Sequence, residues 1–146
     1  MIPVVLAAVS AGFKVAGAIR QGREEQAALE FNAGVARANA AAVKTSNEFD
    51  LLRMKLQGKK LRSAQAAGYA KAGVRLEGSP LDVMIESAAN VELDMFIEQY
   101  NAQTQVSQLM NQASQMEKMG KRAVKNSYFN AATSLLSSAS NYYGSK

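Results

Sequence analysis

The chain has 146 residues and a formal net charge of +5 from seventeen Lys/Arg against twelve Asp/Glu; 48% of it is hydrophobic, with five Phe, five Tyr and no Trp. It contains neither cysteine nor histidine, which excludes disulfides, thiolate metal centres and the commonest general base. The length allows at most one ordinary domain, and its alanine-rich apolar content builds thin helix–helix seams more readily than a thick core, so sister copies or partners are expected to complete its burial.

Residues 2–19 are apolar except for Ser10 and Lys14. Ile2, Val5, Val9 and Phe13 recur at helical spacing, with Leu6 and Ile19 beside them. A secretory signal is disfavoured, because the segment lacks a basic start and Lys14 interrupts the apolar run. A conventional membrane span needs ~20 apolar residues, more than this run supplies. The expectation is an amphipathic helix over residues 1–22 whose apolar face is covered either by sister copies or by lipid. Ala8, Gly12 and Ala16, four residues apart, would let neighbouring helices approach closely.

Gln21-Gly22-Arg23-Glu24-Glu25 reads as a break, after which a helical pattern runs to about Ala72. Gly73 and Gly78 then permit left-handed backbone angles. Ser79-Pro80-Leu81-Asp82 reads as a helix restart: Ser79 caps, Pro80 suits the first helical position, and Asp82 favours the positive end of the dipole. The second helix is expected to run to about Lys125, and residues 126–146 to form an uncharged amphipathic helix and tail. In that last segment Tyr128, Ala132, Leu135 and Tyr142 form one apolar stripe, suited to an oligomer or membrane contact.

Charge organises the two long segments. Phe31 to Arg75 carries nine Lys/Arg against Glu48 and Asp50, whereas Leu76 to Glu117 carries seven acids and no base. A fold-back centred near Leu76 would lay Lys55, Lys59, Lys60 and Arg62 beside Glu92, Asp94 and Glu98. It would also lay Lys118, Lys121, Arg122 and Lys125 beside Glu24, Glu25 and Glu30. Exposed pairs contribute under about 1 kcal/mol each, so they specify alignment more than they stabilise it. Between Gln99 and Gln115, eight Gln/Asn and no charge predict a wet, amide-lined surface.

The expected fold class is therefore all-α: a long antiparallel helical hairpin over 23–125 turning at 73–79, flanked by the amphipathic N-terminal helix and a short C-terminal helix, and assembled as an oligomer. No arrangement supports catalysis. The serines cluster in the tail, the carboxylates are spread along helix faces, and the glycines form no phosphate loop. No enzyme activity, cofactor, metal or small-molecule substrate is expected. The basic cluster at Lys55–Arg62 lacks interleaved aromatics, so it allows at most non-specific phosphate contact with DNA.

Residues 64–105 resemble the internal virion, or ejection, proteins of short-tailed bacteriophages. The likeness rests on Ala72, Gly73, Val74, Leu76, Gly78, Ser79, Pro80, Leu81 and Asp82, followed by Glu92, Leu93 and Asp94, between an Ala/Gln-rich helix and an Asn/Gln-rich tract. The resemblance implies a protein stored inside the capsid near the portal and expelled ahead of the genome. It would then help form a channel for DNA through the host outer membrane or periplasm, as a homo-oligomer beside other ejection proteins and the portal. No catalytic residue is carried over. The competing readings are a portal- or connector-associated virion component without membrane activity, and a helical-hairpin effector or pore subunit of a secretion system.

Overall fold

The computed structural model describes residues 2–144, with side chains described over 15–137 and at Ser140. Two helices account for 94% of the chain and pack against each other: α1 (Ile2–Lys71) and α2 (Ser79–Gly144). No strand occurs among the described residues. The only prolines, Pro3 and Pro80, lie in the first turns of α1 and α2, where a missing N–H breaks no helical bond.

The break expected at Gln21–Glu25 does not occur, since α1 runs through it. Gly22 is helical because it is a contact position: it lies buried against α2, and no proline follows it. The separate helix expected from Asn126 is likewise corrected, because α2 continues unbroken past Lys125. There Ser127 Oγ donates to the Val124 carbonyl at 2.7 Å, within the helix, and does not cap a new one.

The turn falls where its residues predict. Gly73 and Gly78 take φ of +67° and +62°, and they are the only positive-φ residues described. The Val74 N–H reaches the Tyr69 carbonyl at 3.0 Å and the Gly73 N–H the Ala70 carbonyl at 3.2 Å. Those two bonds make a Schellman end to α1 with Gly73 as its left-handed residue. One detail differs from expectation. The Asp82 N–H bonds the Gly78 carbonyl at 3.0 Å, so Gly78 holds the N-cap position and Ser79 lies one residue inside the helix.

By contacts the chain divides into a terminal unit, Met1–Arg37 with Met110–Lys146, and a turn unit, Ala38–Leu109. In the terminal unit the core among the described residues is Ala33, Ala36 and Ala113, with Met116 packed against them. Ala131 and Ser127 are also buried. Gly22 sits so close to α2 that a Cβ there would lie 2.4 Å from Ser127 Oγ, and one on Gly120 would lie 3.4 Å from the Gln26 Cα. In the turn unit only Ala40 is buried. The shielded positions there, among them Met54, Gly58, Met84, Val91 and Met95, keep partial exposure. No large side chain is fully buried anywhere among the described residues.

Candidate functional site

The fold-back register can be read from contacts inside each unit. Gly22 meets Ser127 and Gly120 meets Gln26; Asn47 Nδ2 donates to the Glu98 carbonyl at 3.4 Å, and Gly58 meets Val91. The midpoints of these pairs fall between residues 72 and 75, close to the centre expected from the charge blocks.

The structure brings together only part of the expected charge constellation. Lys55, Lys59, Arg62 and Glu92 line one groove of the turn unit, a cavity of about 300 Å³ floored by Gly58, Val91 and Met95. No N–O distance among them is short enough for an ion pair. Lys60 and Asp94 are exposed, and Glu98 is half-shielded beside Asn47 and Asp50. At the other cluster, Glu24 pairs with Arg20 on its own helix at 2.8 Å and Glu30 accepts from Gln26 at 2.6 Å. Neither forms an ion pair with the basic run Lys118–Lys125, and Glu25 shares a groove with Arg122, also without an ion pair. Among the described residues the ion pair that does cross between helices, Arg37 with Glu117, was missed, although the fold-back register places position 37 near position 115.

Within the groove Gln65 is held in one orientation. Ser87 Oγ gives its only hydrogen to the Val83 carbonyl at 2.8 Å, so it can only accept from Gln65 Nε2, at 3.0 Å. Gln65 Oε1 is thereby left buried with no protein donor. The groove has a cationic rim and an apolar floor, and it holds no nucleophile–base pair. Among the described residues no group of His, Cys, Asp or Glu is arranged to hold a metal.

Of the expected contact residues, Ile2, Val5, Leu6, Val9, Phe13 and Tyr142 have side chains outside the described set. Ile19 is half-buried. Tyr128 and Leu135 are about half exposed, and Tyr128 Oη accepts from Arg23 Nη2 at 3.1 Å. The seam on that part of α2 is made by Ser127 and Ala131, so the stripe of larger residues points elsewhere. All eight amides between Gln99 and Gln115 are exposed, while Ala102, Val106, Leu109 and Ala113 face the seam.

The strongest feature is this inversion of size: alanine, glycine and serine lie inside and large apolar residues outside. Phe31, Phe129 and Leu136 are each 72% exposed, and Phe49, Phe96 and Tyr100 more than 60%. No helix among the described residues is long and apolar enough to cross a membrane. No family model, no curated protein and no solved structure matches this chain.

Proposed function

We propose that this chain is a subunit of a multimeric helical assembly and, on the likeness of residues 64–105, an internal virion (ejection) protein of a short-tailed phage. In this reading it is stored near the portal and released into the host envelope to help form a conduit for DNA. The observation that carries the assembly part is the size inversion: a hairpin with Ala33, Ala36 and Ala113 inside leaves Phe31, Phe49, Phe96 and Phe129 in water. Exposed apolar area of this extent marks an interaction surface.

Other features support the ejection part. No disulfide and mostly local helical contacts suit a chain that must leave through a narrow portal and refold. The small-residue seam of the terminal unit contains few interlocking side chains to dismantle. The finer expectation of conditional amphipathic ends, covered by sister copies in the particle and by lipid afterwards, belongs to this proposal.

The test is to follow the protein after infection into intact particles, emptied capsids and the host envelope. Ejection requires it to leave the capsid and appear in the envelope fraction. Retention in emptied capsids would instead support the portal- or connector-associated role, and secretion from uninfected cells the secretion-system role. Membrane activity is tested by liposome leakage, which must be lost when residues 2–19 and 126–145 are both removed.

A further inference from the structure

The turn unit carries two largely apolar stripes that face away from its own seam. On α1, Ala38, Ala42, Thr45, Phe49, Leu52 and Leu56 are all exposed and recur alternately four and three residues apart. That is the heptad spacing of a helix seam. Phe49 lies about half a turn round the helix from the seam position Asn47. On α2, Ile85, Ala89, Leu93, Phe96 and Tyr100 are exposed on one flank, four, four, three and four residues apart. At a rise of about 1.5 Å per residue the two stripes are about 27 Å and about 22 Å long, so one can cover the other.

Charge decides what covers them. The α1 stripe runs into Lys59 and Lys60, and the α2 stripe is flanked by Asp82, Glu86 and Glu92. None of these five forms an ion pair among the described residues. Pairing α1 with a second α1 in parallel would set base against base, and α2 with α2 acid against acid; only α1 against α2 sets Lys59 and Lys60 against Asp82 and Glu86.

We propose that the occupant is a second copy of this chain, docked with its α1 stripe antiparallel to the α2 stripe of the first. This deepens the assembly reading above and rests on it. Antiparallel docking sets Lys59 and Lys60 of one copy against Asp82 and Glu86 of the next. Leu52 and Leu56 then meet Leu81, Ile85 and Ala89 at a groove of about 410 Å³ that Arg62 and Glu92 also line. The contact joins two different faces, so a docked pair keeps one free α1 stripe on one copy and one free α2 stripe on the other. It therefore propagates into a closed ring or an open filament, with every turn at the same end.

The test uses the full chain in sedimentation equilibrium. Phe49→Asp with Leu52→Asp removes the α1 stripe, and Phe96→Asp with Tyr100→Asp removes the α2 stripe; helicity by circular dichroism checks that each variant folds. The wild type is expected to be multimeric and each variant monomeric. An equimolar mixture of the two variants is expected to stop at a heterodimer, because one intact face of each kind remains. A second pair reads the charges: Lys59→Glu with Lys60→Glu raises the dissociation constant at least about tenfold, and mixing with Asp82→Lys with Glu86→Lys restores it. A monomeric wild type overturns both this contact and the assembly reading. Variants that assemble like the wild type, or folded monomeric variants that do not pair on mixing, overturn this contact and leave the assembly reading standing.

Discussion

The terminal and turn units use the same pair of helices to make two different seams. In the terminal unit the shielded positions of α1 (Gly22, Gln26, Leu29, Ala33, Ala36) alternate four and three apart, and those of α2 at Ala113, Met116 and Gly120 do the same. Small residues at a heptad spacing let the backbones close until Ala33 has no exposure at all. In the turn unit the shielded positions of α2 (Ser87, Val91, Met95, Glu98, Ala102, Val106, Leu109) follow an eleven-residue repeat, and they include Met, Val and Glu. An eleven-residue repeat demands a different winding from a seven-residue one, and the larger seam residues stay part-exposed. The result is a half-open seam in which only Ala40 is buried. Close approach, rather than hydrophobic bulk, is what seals a two-helix interface.

The sharpest way to break that comparison is to add bulk to each seam. Ala33→Leu forces extra atoms into a closed core and is expected to cost about 3 kcal/mol. Ala102→Leu in the half-open seam should cost about 1 kcal/mol or less, since Ala102 borders open space. Urea titrations followed by circular dichroism measure both, and equal losses would show that the two seams are packed alike.

A glycine pair gives a finer version. Gly22→Ala places a methyl 2.5 Å from Ser127 Cβ and 3.1 Å from the Ala123 carbonyl, where backbone must yield. A net loss of about 1–2 kcal/mol is expected, after the gain of up to about 1 kcal/mol that alanine brings to a helix. Gly58→Ala meets Val91 alone, with its Cγ1 methyl nearest at 2.9 Å and no backbone atom among the contacts, so the net loss should be smaller than at Gly22. Gly34→Ala meets nothing within 4 Å and should stabilise by up to about 1 kcal/mol. Thermal unfolding that ranked Gly58→Ala below Gly22→Ala would reverse the assignment of the tighter seam.

These positions also show what the sequence made legible. The turn was readable because Gly73, Gly78 and Pro80 each carry a backbone constraint that acts locally. The register was readable to within a few residues because the charge blocks are long and opposite, even though Lys55, Lys59 and Arg62 form no ion pair in the hairpin. The faces were not readable. A search for stripes of large apolar residues selects Tyr128, Ala132 and Leu135, whereas the seam uses Gly120, Ser127 and Ala131, whose hydrophobic contrast is low. Gly22 was misread for the same reason: glycine breaks a helix in isolation but lets another helix approach when one is present. Arg37–Glu117 follows from the register once single residues are aligned rather than clusters.

The smallest expected effect separates the units by charge instead of volume. Arg37 and Glu117 bridge the helices of the terminal unit, but their side chains are 47% and 36% exposed. Solvent screens such a pair, so Arg37→Gln should cost under about 1 kcal/mol, and high salt should erase most of the difference. Lys59, in the turn unit, has no carboxylate within ion-pair distance among the described residues. Lys59→Gln should therefore leave unfolding of the dilute, monomeric hairpin within a few tenths of a kcal/mol of wild type. At concentrations where copies associate, the order reverses: Lys59→Gln weakens association through the contact with Asp82 and Glu86, whereas Arg37→Gln leaves it unchanged. Comparing the two variants at low and high protein concentration thus distinguishes a charge that aligns a hairpin from one that aligns its neighbours.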